Sequence, residues 1–211
     1  MKTGIIWDLD GTMWDSGEWV SVAWNEYCAA HGIDRRFTPD DCRSYCGKTL
    51  EQIAQVVFPD AEPSWRNRVI VACCDAECIP LSIHGGKLYE GLEQILAQLH
   101  REYHMSVVSN CGLGYIEAFY SGNHMRQYFD DEENAARTGL GKAGNIRLVM
   151  QRNGLDHAVY IGDTQGDRQA AEEAGVAFVY AAYGFGHVPD AKWKIERLSE
   201  LPNVIKQILR E

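Results

Sequence analysis

Two aspartates separated by one residue lie at the end of the first apolar run of the chain. The run 4–9 is rich in β-branched and aromatic residues and suits a buried strand; it contains Asp8 and is followed by Asp10 and Gly11. Like charges about 4 Å apart repel by about 4 kcal/mol at an effective dielectric of about 20. The pair is tolerable if a cation lies between the carboxylates or if one holds a proton. Gly11 allows backbone amides to approach a ligand closely. The alternative to a ligand site is a strand-to-loop turn whose acids are solvated.

A second pair of aspartates follows another strand-like run. Asp163 and Asp167 come after the run 158–162 and flank a turn that contains Gly166. Four residues apart, both carboxylates can face one point where a helix begins. The alternative is that Asp163 caps this helix, which the sequence also supports.

A hydroxyl, an amide and an amine occur at comparable places. Ser109 and Asn110 end a further strand-like run, and they can hydrogen-bond a phosphoryl or carboxylate oxygen or cap a helix. Lys142 stands just before a predicted helix, where its charge is unfavourable with the helix dipole. That position indicates a lysine placed for a ligand, although a solvated lysine is the more common outcome.

Alternating strands and helices would position these groups. Such a pattern predicts an α/β fold with a parallel sheet covered by helices, whose sites form at the carboxyl ends of the strands. We expect a weak strand near Tyr128–Phe129 and a solvated loop over the acidic run Asp130–Glu133. The stronger strands are predicted at 4–9, 105–109, 158–162 and 176–180.

The segment between Asp15 and Gly85 differs from the rest of the chain. Its apolar spacing is helical throughout and predicts four helices with no strand. Asp15 and Glu18 have the spacing of a capping box at the start of the first helix. Pro59 and Pro80 are expected to end the third and fourth helices. The sequence therefore predicts a compact helical insert.

Composition limits the classes of function. The 211 residues carry 20 Lys and Arg against 30 Asp and Glu, a net charge of −10, which disfavours binding to nucleic acid or to anionic membranes. No membrane span or signal peptide is expected. Seven cysteines, an odd number, predict reduced thiols in the cytoplasm. An anionic substrate would need local positive charge from a metal or a placed lysine.

Taken together, the motifs resemble those of the haloacid dehalogenase superfamily of phosphohydrolases. The helical insert is similar to the C1-type cap of that superfamily, and the chain most resembles its phosphoglycolate phosphatase-like subgroup. The resemblance implies a Rossmann-like core at 1–15 and 86–211 and a helical cap at 16–85. Lys142 precedes Ala143-Gly144 where many relatives have prolines, so its loop can differ in shape. The four matching motifs are Asp8-Leu9-Asp10-Gly11-Thr12, Ser109-Asn110, Lys142 and Gly162-Asp163-Thr164-Gln165-Gly166-Asp167.

This resemblance implies roles for the motif residues. Asp8 would be the nucleophile that forms an aspartyl-phosphate, and Asp10 the general acid and then base. Mg²⁺ would be the cofactor, held by Asp8, Asp163 and the backbone carbonyl of Asp10, with Asp167 orienting a metal-bound water or Lys142. The groups expected to hold the transferring phosphoryl group are Ser109, Asn110, Lys142 and the backbone at Gly11.

The cap is expected to close over the site and to face the leaving group with Gly47-Lys48-Thr49. Lys48 offers a cation for a second anionic group such as a carboxylate, and a solvated loop lysine fits equally well. Gly184-Phe185-Gly186 would border the entrance or form an ordinary turn.

Three other functions compete with a phosphatase that acts on a small phosphorylated metabolite. A 2-haloacid dehalogenase would share the fold, but that group lacks the second acid of the first motif, which Asp10 supplies. A β-phosphoglucomutase-like phosphomutase is weakened because the histidine and threonine of that group are not visible after Asp10. A non-catalytic interaction protein is disfavoured because all motif residues are present. The sequence leaves the substrate and the oligomeric state open.

Overall fold

A six-stranded parallel sheet forms the centre of the molecule. The structure is a computed structural model, and it describes residues 2–210. The strand order is β5-β4-β1-β6-β7-β8, so the strand that ends at Asp8 lies in the interior of the sheet. The strands are β1 (Thr3–Trp7), β4 (His104–Ser109), β5 (Asp131–Asn134), β6 (His157–Gly162), β7 (Ala177–Ala181) and β8 (Trp193–Ile195).

Helices cover the sheet and form most of the segment between β1 and β4. None of them, within residues 2–210, is long and apolar enough to cross a membrane. The helices are α1 (Gly17–Ala30), α2 (Pro39–Tyr45), α3 (Leu50–Val57), α4 (Pro63–His84), α5 (Leu92–Leu99), α6 (Tyr115–Asn123), α7 (Ala135–Thr138), α8 (Lys142–Asn153), α9 (Gln165–Ala174) and α10 (Leu201–Ile208).

The interior position of β1 follows from its sequence. Ile5, Ile6 and Trp7 are fully buried, and alternate side chains enter different cores. Ile5 and Trp7 belong to the larger core cluster, whereas Ile6 packs with α8 residues such as Ile146 in the other. A strand that is apolar on both faces suits a parallel sheet with helices on both sides.

A two-stranded ribbon marks where the chain leaves the sheet and returns to it. β2 (Trp14–Asp15) pairs antiparallel with β3 (Lys87–Leu88), and the four helices α1–α4 lie between them in sequence. The sequence did not predict this ribbon, because two-residue strands have no periodicity to detect. The division into a core and a cap at residues 16 and 85 stays a prediction.

Helix α4 corrects the prediction that Pro80 ends the fourth helix. It continues to His84, with Pro80 inside it. An internal proline removes one backbone hydrogen bond and is usually costly. Packing offsets the loss: Leu81 is fully buried, and Gly122 of α6 approaches so closely that a Cβ there would lie 2.0 Å from the Leu81 carbonyl oxygen.

The acidic run corrects a second prediction. Residues Asp131–Asn134 form the edge strand β5, paired with β4, and are not a loop; the strand expected near Tyr128–Phe129 lies at a short 3₁₀ turn and its end. Arg152 donates to Asp131 through Nε (2.7 Å) and to the buried Glu133 through Nη1 (2.7 Å). The charge that indicated a solvated loop is offset by this arginine of α8.

Loss of Arg152 should destabilise the sheet edge. We expect Arg152→Ala to lower the free energy of unfolding by about 2 kcal/mol, because the buried Glu133 loses its shortest ion pair. Arg168→Ala, which removes an exposed pair with Glu172, should cost about 0.5 kcal/mol or less. Urea denaturation of both variants measures the difference, and equal losses would contradict the assigned role.

Candidate active site

Lys142 connects two of the predicted carboxylates. It is the first residue of α8, and its Nζ donates to Asp8 Oδ1 (2.8 Å) and Asp167 Oδ1 (2.5 Å), all three side chains being buried. Burial alone would lower the pKa of Lys142, but Asp167 and Asp8 raise it well above its ordinary value. The unfavourable position at a helix N-terminus is thus offset by two charge-assisted hydrogen bonds.

Three carboxylates share one small volume. Asp8, Asp163 and Asp167 each offer an oxygen within 4.8 Å of the others, and all three are buried. Burial is the largest cause that raises the pKa of both Asp8 and Asp163, and the negative charge of Asp167 is the second. The pKa of Asp8 rises well above its ordinary range, and the pKa of Asp163 rises to about 7. Three acids against one lysine leave an excess of negative charge. Because hard oxygen donors are the ligands that Mg²⁺ prefers, this cluster fits a divalent cation.

The loop 184–186 holds Asp163. The backbone N–H groups of Phe185 and Gly186 donate to Asp163 Oδ2 (2.7 and 3.1 Å). A Cβ at Gly184 would lie 2.3 Å from the Gly11 carbonyl oxygen and 2.4 Å from Asp163 Cβ, so only glycine fits there. The sequence predicted that this loop either borders the entrance of the site or forms an ordinary turn. It did not predict the contact with Asp163, because residues 163 and 184 lie on different βα units.

Asp167 also shapes the start of α9. Its Oδ2 accepts from Thr164 N (2.9 Å) and Thr164 Oγ1 (2.7 Å), and Thr164 Oγ1 accepts from Asp167 N. This is a capping box with Thr164 as the N-cap, so the alternative that Asp163 caps the helix is wrong. Both oxygens of Asp167 are therefore held, Oδ2 by Thr164 and Oδ1 by Lys142.

Asp10 lies in a different environment from Asp8. Its Oδ1 accepts from Ser16 Oγ (2.8 Å) and Tyr115 OH (2.9 Å), and its carboxylate is not part of the cluster of three. Burial raises the pKa of Asp10, against hydrogen bonds from Ser16 and Tyr115 that lower it. A role of Asp10 in metal binding through its backbone carbonyl stays a prediction.

Ser16 and Tyr115 are hydrogen-bond partners of Asp10 that the sequence did not predict. Ser16 is the N-cap of α1, but its hydroxyl bonds Asp10 instead of the helix, and the capping box expected from Asp15 and Glu18 does not form. Asp15 instead accepts from Arg43 Nε (2.9 Å). Tyr115 carries no sequence signal, since a tyrosine at a helix start is typical of a core residue.

Three further residues that the sequence predicted to contact the substrate line one cavity, and Thr49 does not. Ser109, Asn110 and Lys48 line a cavity next to Asp10. Asn110 Nδ2 donates to the Gly47 carbonyl oxygen (3.1 Å), and Asn110 Oδ1 is buried with no partner among residues 2–210. Thr49 is exposed, caps α3 and does not line this cavity, so the structure does not bring it to the site.

Comparison with known proteins decides the family. Residues 5–181 match the family model described as "Haloacid dehalogenase-like hydrolase". The chain belongs to this family. Its match to a structure of a haloacid dehalogenase-like family hydrolase from Streptococcus pneumoniae has a TM-score of 0.81 at 19% identity, covering 97% of this chain and 98% of that one. The structure of CbbY from Rhodobacter sphaeroides in complex with phosphate gives 0.76 at 21% identity, over 95% and 96% of the two chains.

Curated relatives are similar to this chain over most of their length. A phosphoglycolate phosphatase from Synechococcus elongatus is 27% identical over 98% of this chain and 99% of its own. A 5'-nucleotidase from Pseudomonas aeruginosa is 26% identical over 86% of this chain and 83% of its own. The predicted family, the α/β fold and the prediction of a phosphatase-type enzyme are confirmed.

Gly184 tests the packing behind Asp163. We expect Gly184→Ala to lower the free energy of unfolding by about 2 kcal/mol or more, because the new methyl group would overlap Asp163 and the Gly11 backbone. Gly141→Ala is the matched control, since a Cβ there meets nothing within 4 Å, and it should change stability by less than about 1 kcal/mol. If urea denaturation gives both variants the same midpoint, the close approach at Gly184 is not structurally important.

The raised pKa of Asp163 predicts a pH-dependent stability of the metal-free protein. The carboxyl takes up a proton on folding, so its stabilisation is fully present below about pH 4 and is lost as the pH rises through about 7. We expect a lower Tm at about pH 8 than at about pH 5 in EDTA. Asp163→Asn should reduce this difference, and Mg²⁺ should raise the Tm of the natural protein at about pH 8. Identical pH profiles for the two proteins would contradict the assignment.

Proposed function

We propose that the protein is a Mg²⁺-dependent phosphohydrolase that acts on a small phosphorylated metabolite through an aspartyl-phosphate intermediate. One observation carries this proposal: Asp8 and Asp10, two residues apart, lie in different environments. Asp8 faces Lys142 and two further acids, whereas Asp10 is bonded to two hydroxyl groups beside a cavity. Carboxylates separated in this way suit separate chemical roles.

In the proposed first step, a carboxylate oxygen of Asp8 attacks the phosphorus atom in line with the leaving alcohol. The P–O bond to the alcohol breaks as the bond to Asp8 forms, which divides one difficult displacement into two easier ones. Lys142 holds Asp8 in place through Oδ1 and brings positive charge to the phosphoryl oxygens. Ser109 and Asn110 line the adjoining cavity and would donate to the same oxygens.

Asp10 would protonate the leaving alkoxide and then accept a proton from the water that hydrolyses the intermediate. Its pKa is raised by burial, which supports a carboxyl group that holds a proton until the alkoxide forms. Ser16 and Tyr115 fix the carboxyl through Oδ1. They would leave Oδ2 for the leaving group.

Asp8 and Asp163 would hold Mg²⁺, with Asp167 restraining Lys142 beside them. Bound there, Mg²⁺ would supply positive charge that neutralises the charge developing on the phosphoryl oxygens. The raised pKa values of Asp8 and Asp163 support this assignment, because they reflect burial and, after it, the negative charge of Asp167, and a bound cation would offset both effects.

The subgroup named in this proposal follows the curated relatives. Phosphoglycolate phosphatases match over almost the whole chain, so we place the protein in a phosphoglycolate phosphatase-like subgroup. Lys48 at the cavity would contact the leaving-group side of the substrate. The proposal includes a cytoplasmic location, to which seven free cysteines are suited.

Phosphate release measures the proposed reaction. With Mg²⁺ and a panel of phosphomonoesters, the natural protein should release inorganic phosphate, and EDTA should abolish the release. Asp8→Asn should remove turnover, because the amide is a poor nucleophile, and Asp10→Asn should lower kcat about 10²- to 10⁴-fold. Asp60→Asn, an exposed acid, should leave kcat unchanged.

Other products would contradict the proposal in recognisable ways. Metal-independent halide release from a 2-haloacid would indicate dehalogenase chemistry. An isomeric sugar phosphate without inorganic phosphate would indicate a mutase. Turnover that persists in Asp8→Asn would show that the nucleophile is another residue.

A further inference from the structure

A buried acid of the helical segment faces the same cavity as Asp10. Glu77 lies on α4 and is 6% exposed, and it lines the cavity together with Asp10, Ser109 and Asn110. The proposed reaction gives Glu77 no role. Since a buried carboxyl group is costly without hydrogen-bond partners, its position calls for an explanation.

In the described part of the chain, one side chain donates a hydrogen bond to Glu77. The indole Nε1 of Trp24 donates to Glu77 Oε2, and no donor among residues 2–210 reaches Oε1. Burial raises the pKa of Glu77 well above its ordinary value, the Trp24 hydrogen bond lowers it, and the charge of Asp10 raises it further. One carboxyl oxygen therefore remains available to a group inside the cavity.

The surroundings of Glu77 favour a positively charged group. Trp24 and Tyr45 line the cavity with rings stacked at 17° and centroids 6.0 Å apart, and aromatic faces attract cations. Asp10 adds a second acid. Lys48 is the cation that lines the cavity, and its Nζ donates to the Ser44 carbonyl oxygen (2.5 Å). A substrate carboxylate bound by Lys48 would share this cavity with the two acids, Asp10 and Glu77.

We propose that Glu77 is a specificity-determining residue whose carboxyl group binds a cationic amino group on the leaving alcohol. The substrate class is then the phosphomonoesters of amino alcohols, with the phosphoryl group at Asp8, the ester oxygen at Asp10 and the ammonium group at Oε1 of Glu77, the oxygen to which Trp24 does not donate. This inference rests on the proposed function and narrows it. The ranking of substrates by kcat/KM that it predicts is the opposite of the ranking expected if Lys48 bound a carboxylate group on the substrate.

Three matched two-carbon phosphomonoesters test the inference: phosphoethanolamine, 2-hydroxyethyl phosphate and phosphoglycolate. Each has two carbon atoms, and the carbon far from the phosphate is an aminomethyl, a hydroxymethyl or a carboxylate group. We expect kcat/KM to fall in that order, with about tenfold or more between the first and the last. The reverse order would overturn the proposal. This measurement is made on the natural protein and does not depend on the folding of any variant.

Two variants of α4 make the test specific to one side chain. Glu77→Gln, which can still accept from Trp24, should lower kcat/KM for phosphoethanolamine about tenfold and raise that for phosphoglycolate. The ratio of kcat/KM for phosphoethanolamine to kcat/KM for methyl phosphate, which carries no terminal group, should therefore fall about tenfold. Asp75→Asn makes the same charge change at an exposed position of the same helix and should alter none of the four values. Equal effects of the two variants would contradict a direct contact.

Binding separates failure of this inference from failure of the proposed function. If methyl phosphate and the three two-carbon esters release no phosphate, the proposed function fails. Calorimetric titration of the same esters into Asp8→Asn with Mg²⁺ then still ranks their affinities. Tighter binding of phosphoethanolamine supports the role of Glu77, and equal or weaker binding overturns it.

Discussion

Three carboxylates and one ammonium group share a buried space where β1, β6 and α8 meet. Lys142 balances only part of the charge of Asp8, Asp163 and Asp167, and burial makes the remainder costly. Much of the surrounding backbone is arranged around this constraint. Thr164 caps α9 through Asp167, and the loop at 185–186 donates two N–H groups to Asp163.

The same arrangement explains how an acidic chain can accept a phosphate. The net charge of −10 would repel an anionic substrate at a distance, so attraction must be local. Lys142 and a divalent cation in the carboxylate cluster would provide it within a few ångströms of the phosphoryl group. The excess of acids is thus compatible with phosphate chemistry because it concentrates cations at one point.

The helical segment contributes a second environment with different chemistry. The contact from Asn110 to the Gly47 carbonyl oxygen connects it to the end of β4, and Ser16 connects its first residues to Asp10. Residues of the helical segment, among them Glu77, Trp24 and Tyr45, line one cavity together with Asp10, the general-acid candidate. In the proposed reaction, the chemistry at phosphorus and the recognition of the leaving group would therefore lie on separate parts of the chain.

The sequence by itself determined the sheet, most of its strands and the order of the motif residues, because these depend on local apolar patterns and on residues next to strand ends. It placed Asp8, Asp163, Asp167 and Lys142 at one edge, since parallel strands bring their carboxyl ends together. Only the tertiary structure decided what those residues touch. Tyr115 meets Asp10 across 105 residues, Phe185 meets Asp163, and Glu77 faces the cavity from within a helix that continues past Pro80. The acidic edge strand β5 was missed for the same reason, because the arginine that offsets its charge is distant in sequence. Contacts between distant segments arise from packing of the whole chain, and no local pattern of residues encodes them.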